Sequence, residues 1–229
     1  RDTVNAANPN KHAGMIYASN LCHEIAQNVG FTNLVEEIIN EDGTITTKTN
    51  TGDMVTCNLN SISLGRITDE ELEENIALQI RMLDNVISIN QAPVPESRMT
   101  SDKYRAIGLG TSGYHHYLVN HNIQWESDEH IEAADKLFEN IAYYAIKASM
   151  ELAKEKGAYP AFKGSEWETG EYFTRRGYTS DRWKQLAADV AKYGIRNGYL
   201  MAVAPTGSTS NIANTTAGID PIFKKFFIE

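Results

Sequence analysis

Helical stripes of apolar residues alternate along this chain with short runs of strand length, and that alternation restricts its architecture to a few possibilities. The capping box Thr68-Asp69-Glu70-Glu71 is followed by Leu72, Ile76, Ile80, Leu83 and Ile87, one face of an amphipathic helix running to about Asn90. Pro93 and Pro95 stop it. A longer helix opens near Ser127, with Asp128 and Glu129 in its first turn and Lys154 and Lys156 in its last, and Gly157 ends it. Its apolar face is expected to hold Ile131, Ala134, Phe138, Ile141, Ala145, Ala148 and Leu152. A third helix is expected from Ser180 through Trp183, Leu186 and Val190 to Gly194. The apolar run Tyr199–Ala204 has the length of a strand and leads straight into Pro205 and five small residues. Strands separated by helices indicate an α/β chain with parallel strands. Near the N-terminal end, Val35–Ile39 and Thr44–Thr49 flank the turn Glu41-Asp42-Gly43, a hairpin that reads as an insert over residues 31–55. No repeat or linker divides the chain, so residues 1–229 are taken as one domain.

Composition narrows the function. With 21 Lys and Arg against 30 Asp and Glu, the net charge of −9 disfavours coating of nucleic acid. No apolar run approaches the roughly 18–20 residues that cross a bilayer, so the expectation is a cytoplasmic protein without membrane contact. Cys22 and Cys57 are too few for a disulfide framework or a cysteine zinc site, and the six histidines show no metal-ligand spacing, so no metal site is expected. The absence of an initiator Met and the abrupt Lys224–Glu229 end read as a piece of a longer chain.

Three constellations carry chemical potential. In Asn20-Leu21-Cys22-His23-Glu24, an extended backbone would project an amide, a thiol and a carboxylate to one side, with Leu21 and His23 pointing away. The carboxylate could move a proton, the amide could hold a hydroxyl, and the thiol could serve as nucleophile or hydrogen-atom donor; the alternative is an inert buried cysteine. Pro205-Thr206-Gly207-Ser208-Thr209-Ser210 offers backbone N–H groups and hydroxyls to a phosphate, or forms a plain strand-to-helix turn; without a following Lys it is no Walker loop. Gly108-Leu109-Gly110-Thr111-Ser112-Gly113 matches the dinucleotide pattern G-x-G-x-x-G, but polar Thr100–Arg105 stands where the pattern needs a strand. A close-packed helix start is the preferred reading there, and a nicotinamide-dependent oxidoreductase is the rival that it weakens.

In order and spacing, Ser19–Ile25, Cys57-Asn58-Leu59-Asn60-Ser61-Ile62-Ser63-Leu64-Gly65, Arg105–Gly110 and Ala204–Ser210 resemble the large, catalytic (alpha) subunit of class I ribonucleotide reductases. The resemblance covers nearly the whole chain apart from the hairpin. It implies part of a ten-stranded α/β barrel, namely the finger loop plus much of the second half-barrel. It also implies an oxidoreductase activity, the reduction of ribonucleoside diphosphates to deoxyribonucleotides for DNA synthesis. By the same resemblance Cys22 becomes a thiyl radical that removes the ribose 3′-hydrogen, Glu24 takes the 3′-hydroxyl proton, and Asn20 holds the sugar. Leu21 and His23 complete the substrate-binding turn. Cys57 is implied to be one half of a redox-active disulfide whose other cysteine lies upstream, so no Cys22–Cys57 disulfide is expected. Pro205, Thr206, Gly207, Ser208, Thr209 and Ser210 are implied to clamp the substrate diphosphate, and Gly108–Gly113 falls in barrel packing.

The implied partners are a small (beta) subunit whose di-metal centre supplies the radical, thioredoxin or glutaredoxin as reductant, and a second copy in a homodimer. ATP and dNTP effectors would act on the full-length chain, and no cofactor is bound directly by these residues. Because the effector site, the radical-relaying tyrosine pair and the tail cysteines are not among them, this chain alone is not expected to turn over. A cobalamin-dependent class II reductase and a noncatalytic nucleotide-binding relative are the alternatives within the family.

Overall fold

A computed structural model describes residues 2–224. In chain order it contains α1 (Asp2–Ala7), β1 (Asn33–Ile39), β2 (Ile45–Asn50), β3 (Leu59–Ser63), α2 (Leu72–Ile89) and α3 (Pro95–Tyr104). There follow β4 (Gly108–Ser112), α4 (Tyr114–Asn120), α5 (Asp128–Lys156), α6 (Glu166–Thr169), α7 (Glu171–Arg175), α8 (Asp181–Tyr193) and α9 (Gly207–Ile212). The expected hairpin forms as β1 and β2, antiparallel, with Gly43 at φ +83 in its turn and every strand residue exposed.

β3 and β4 pair in parallel, Leu59 opposite Gly108 through Ser63 opposite Ser112. The expected strand at Tyr199–Ala204 is reduced to an extended segment that joins β4 by one parallel bridge, Leu109 with Met201. Its ladder bonds run from Leu109 N to Leu200 O (2.8 Å) and from Ala202 N to Leu109 O (3.0 Å). β4 is therefore central and buried along its whole length. This corrects the expectation of a helix start at Gly108–Gly113: five of those six residues are the strand itself, and α4 begins only after Gly113. The glycines are there for close approach. A Cβ on Gly108 would lie 2.5 Å from Leu59 Cδ2, and one on Gly110 would collide with the Ala202 carbonyl oxygen.

Helices cover this sheet. α2 packs against α5, and α5 against α8, around a core that includes Ile62, Ile76, Ile80, Leu109, Ala145 and Ile146. α2 and α8 keep the expected bounds to within a residue or two. α5 likewise runs between its Ser127 cap and Gly157. At about 44 Å for 29 residues it outreaches the core, so Ile131 near its start is 67% exposed rather than buried, and Leu137 begins the buried face instead. α3 is unannounced by periodicity: Pro95 ends nothing but occupies the first helical turn, where its fixed φ suits a helix start. No helix among the described residues is long and apolar enough to cross a membrane.

A buried ion cluster ties these elements together. Asp84 of α2 is fully buried, and its Oδ1 accepts from Arg105 Nε (2.7 Å) and Arg196 Nε (3.1 Å) while its Oδ2 accepts from Lys156 Nζ (3.2 Å). Burial alone would push this carboxyl up, but the hydrogen bonds and charges of Arg105, Arg196 and Lys156 overcome it and hold Asp84 below the ordinary carboxylate value. The resulting stabilisation is complete above the unfolded carboxyl's value of about 3.9 and is lost as pH falls toward the depressed folded value. Asp84→Asn should therefore cost about 3–5 kcal/mol at pH 7, measured by urea unfolding, because it leaves buried cations unpaired. The difference from wild type should shrink below about pH 4.

Candidate active site

The segment carrying Cys22 leaves the fold and returns to it at one point. Val29 N donates to Met15 O (3.0 Å), closing a loop over residues 15–29 whose tip is the Asn20–His23 turn. Its base is held by buried amides. Asn8 Nδ2 donates to Asn28 Oδ1 (2.8 Å), and Asn28 Nδ2 donates to Asn10 O (2.9 Å) and Tyr104 Oη (3.1 Å). Asn10 Nδ2 donates to Gly198 O (2.9 Å), and the Tyr159 hydroxyl donates to Asn10 Oδ1 (2.6 Å). Burial raises the Tyr104, Tyr159 and Tyr199 phenols, so they remain neutral hydrogen-bonding groups in this cluster. Sequence reading missed the cluster; its only trace is three asparagines in Asn8-Pro9-Asn10 and at Asn28.

At the tip the backbone is a turn, not the extended stretch expected. His23 N donates to Asn20 O (3.2 Å), and His23 takes φ +66, a left-handed conformation uncommon for a residue with a side chain. The turn still brings the amide and the carboxylate together, through the separation of four residues rather than of two, while Cys22 is exposed at its tip. Asn20 Nδ2 donates to Glu24 Oε1 (2.6 Å) and reaches Cys57 Sγ (3.5 Å), while Asn20 Oδ1 accepts from Ile25 N (2.9 Å). The other carboxylate oxygen, Glu24 Oε2, is buried with no hydrogen-bond partner. Leu21 is 94% exposed, and His23 Nδ1 is bonded to Ser19 Oγ (2.9 Å), so both side chains stand apart from the Asn20–Glu24 pair as expected.

Both cysteines are free and solvent-accessible. Partial burial pushes the Cys57 thiol up, and the charges of Glu24 and Cys22 push it further, against the Asn20 hydrogen bond that lowers it.

The Pro205–Ser210 motif lies beyond the C-terminal end of the third parallel segment, the end where open α/β sheets hold ligands. The expected helix start falls inside the motif, at Gly207. Three hydroxyls are engaged internally: Thr206 Oγ1 accepts from Gly218 N (2.7 Å), Thr209 Oγ1 donates to Thr206 O (3.3 Å), and Ser210 Oγ donates to Gly207 O (2.9 Å). Gly207, Ser208 and Thr209 are exposed, and the space around Gly207 is open. Among the described residues no hydrogen bond joins residues 205–210 to the Asn20–Glu24 turn or to Cys57. The segment after α9 is clasped to α4, with Gly113 N donating to Thr216 O (2.7 Å) and His116 Nδ1 bonded to Thr215 Oγ1 (3.0 Å). No group of three or more His, Cys, Asp or Glu among the described residues is arranged to hold a metal ion.

Because Glu24 and Asn20 act on the Cys57 thiol in opposite directions, their removal should separate them. Glu24→Gln should lower the Cys57 pKa and quicken its alkylation by iodoacetamide at pH 8, and Asn20→Ala should slow it, read by peptide mass spectrometry to distinguish Cys57 from Cys22.

The family model described as "Ribonucleotide reductase, barrel domain" matches residues 1–229. A ribonucleoside-diphosphate reductase subunit alpha of Treponema pallidum (strain Nichols) is 55% identical over 235 residues, covering 100% of this chain and 28% of that protein. Proteins of the same name from Helicobacter pylori (strain ATCC 700392 / 26695) and Synechocystis are 38% and 35% identical, each over 100% of this chain and over 35% and 28% of their own lengths. The chain thus spans about a third or less of the curated relatives it matches. With its mixed α/β architecture and a buried central strand paired in parallel, the chain belongs to the ribonucleotide reductase barrel-domain family.

Proposed function

We propose that these residues are the catalytic centre of a ribonucleoside-diphosphate reductase large subunit, which makes 2′-deoxyribonucleoside diphosphates by protein-radical chemistry. They act as one unit of its barrel, with residues 31–55 as an inserted hairpin. The observation that carries the reading is the Asn20 amide bridging Glu24 Oε1 and Cys57 Sγ while Glu24 Oε2 stays buried and unpartnered. A buried carboxylate oxygen without a partner is costly, and a substrate hydroxyl placed against it would relieve that cost.

A small partner subunit with a metal centre supplies the oxidising equivalent that removes the Cys22 hydrogen atom. The Cys22 thiyl then takes the ribose 3′-hydrogen, forming S–H and leaving the radical on C3′. Glu24 Oε2 accepts the 3′-hydroxyl proton, and Asn20 steadies the sugar. The 2′-hydroxyl departs as water. Cys57 and a second cysteine outside this sequence supply the two electrons and two protons for that step, becoming a disulfide. Cys22 returns its hydrogen atom to C3′, so the net change is one ribonucleotide and one dithiol to one deoxyribonucleotide, one disulfide and water. Gly207, Ser208 and Thr209 offer exposed N–H groups, and Ser208 an exposed hydroxyl, to receive the diphosphate. Leu21 and His23 border the bound sugar. Thioredoxin or glutaredoxin restores the dithiol, and the full-length subunit works as a homodimer under ATP and dNTP control.

The test uses the full-length subunit with its small subunit and measures deoxynucleotide formed from a ribonucleoside diphosphate. Cys22→Ser should reduce product to background, since a serine O–H is too strong to serve as the exchanging bond. Glu24→Gln should lower turnover by roughly 10²–10⁴-fold, the usual worth of a general acid–base group. Wild-type product from Cys22→Ser would refute the radical assignment.

A further inference from the structure

His115 and His116 are neighbours on α4, and they reach opposite ends of the segment that follows α9. That segment, residues 213–222, begins just after the Pro205–Ser210 loop and its helix, and Thr215 N donates back to Ser210 O (3.0 Å). His116 Nδ1 is bonded to Thr215 Oγ1 (3.0 Å). At the far end Ile222 N donates to His115 Nδ1 (2.9 Å). Between these points Gly113 N donates to Thr216 O (2.7 Å), and Gly218 N donates to the hydroxyl of the buried Thr206 (2.7 Å). The segment is thus pinned to α4 at both ends, and its middle holds the first hydroxyl of the loop.

We infer that His115 is a positioning residue for the diphosphate loop: its neutral imidazole anchors residues 213–222, and through Gly218 the anchored segment keeps Thr206 in place beneath Gly207, Ser208 and Thr209. The inference rests on the function proposed above. The two histidines differ in what a proton does to them. His116 meets a hydroxyl, which can donate or accept, so its bond survives in either charge state. His115 meets a backbone N–H, which can only donate. A proton on His115 Nδ1 would set two donors against each other and break the bond. The anchor therefore exists only while His115 is neutral.

The surroundings favour that neutral form. His115 stacks on Trp125, with ring centres 5.3 Å and planes 13° apart, and His130 packs on the same Trp125 (4.6 Å). Glu126 N donates to His130 Nδ1 (3.1 Å), so this second ring is also an acceptor. The titratable and charged groups on the elements that meet here are His116 and His121 on α4, Arg66 bonded to Asn214 O, and Glu126 before α5. Asp128, Glu129 and His130 in the first turn of α5 and Asp220 on the segment itself complete them. Burial, and then the charge of His130, hold His115 below the ordinary histidine value. A released His115 would titrate near the ordinary value of about 6.5, so the anchor is complete above that pH and is lost as pH falls toward the depressed value.

The experiment measures binding of a ribonucleoside diphosphate to the full-length large subunit by equilibrium dialysis between about pH 5.5 and 8, the range in which histidine changes charge. At the alkaline end His115→Ala should raise Kd about fivefold, the usual worth of one hydrogen bond. The ratio of its Kd to that of wild type should fall to about one at the acid end, where wild type has lost the bond as well. Titration of the substrate's own phosphate acts on both proteins alike and cancels in the ratio. His115→Asn, whose Oδ1 can accept from Ile222 N without titrating, should match wild type at the alkaline end and bind more tightly than wild type at the acid end. Hydrogen exchange of residues 213–222 should quicken in His115→Ala while β4 stays protected, which shows the fold intact. A ratio that does not change with pH, wild-type affinity in His115→Ala under alkaline conditions, or weak binding by His115→Asn there would each overturn the inference. A wild type that binds the diphosphate no better than the bare ribonucleoside would refute the underlying function instead, a result distinct from these.

Discussion

The buried carboxylate of Asp84 is the interaction on which the rest of this structure depends. It receives Arg105 from the residue joining α3 to β4, Lys156 from the last turn of α5, and Arg196 from the approach to the third parallel segment. Asn197 adds to the cluster by donating to Arg105 O (2.8 Å). One side chain on α2 thus sets where the central strand begins, where the longest helix ends and where the third extended segment enters. Arg105 itself takes φ +45, a costly conformation that is held because its side chain is so fully engaged.

From that frame a second polar system reaches outward to the candidate site. Tyr104, immediately before Arg105, and Tyr199, shortly after Asn197, both bond into the asparagine cluster that closes the loop over residues 15–29. The loop over residues 15–29 buries Ile16 and Ile25, but its tip, with Leu21 exposed, is not held by hydrophobic burial. The amide bonds at its base and the Asn20 amide at its tip, each with a direction, hold it instead. Cys57 is fixed independently through its neighbours Asn58 and Thr56, and the Asn20 amide is the point where the two supports meet.

Much of the helical layer was legible in the sequence, because a spacing such as Leu72, Ile76, Ile80 and Leu83 has one physical explanation and its caps are local. The hairpin was legible for the same reason: Asp42-Gly43 specifies the turn whatever lies around it. Gly108–Gly113 was misread because its meaning is not local. Glycines in a central strand look like a phosphate loop or a helix start until Ala202 and Leu59 are seen pressing against them. α3 was hidden because a helix of PESRMTSDKY has no apolar stripe, its buried residues being Ser97, Thr100 and Tyr104. The kit of the site was legible as residue types, but its geometry was not, since nothing in Asn20–Glu24 announces that His23 turns left-handed.

By itself the sequence determined the helices, the hairpin and the chemical inventory, namely one thiol, one carboxylate and one amide in a short run, with a second thiol at Cys57 and a hydroxyl-rich loop far downstream. These follow from periodicity, capping and side-chain chemistry, all of which act over a few residues. Only the tertiary structure decided that Asn20 stands between Glu24 and Cys57, that Glu24 keeps one buried oxygen without a partner, and that His115 meets Ile222. Those facts depend on contacts across 37 residues for Asn20 and Cys57, and across 112 for Asp84 and Arg196. At such separations the chain's path, rather than its local preferences, sets the distance.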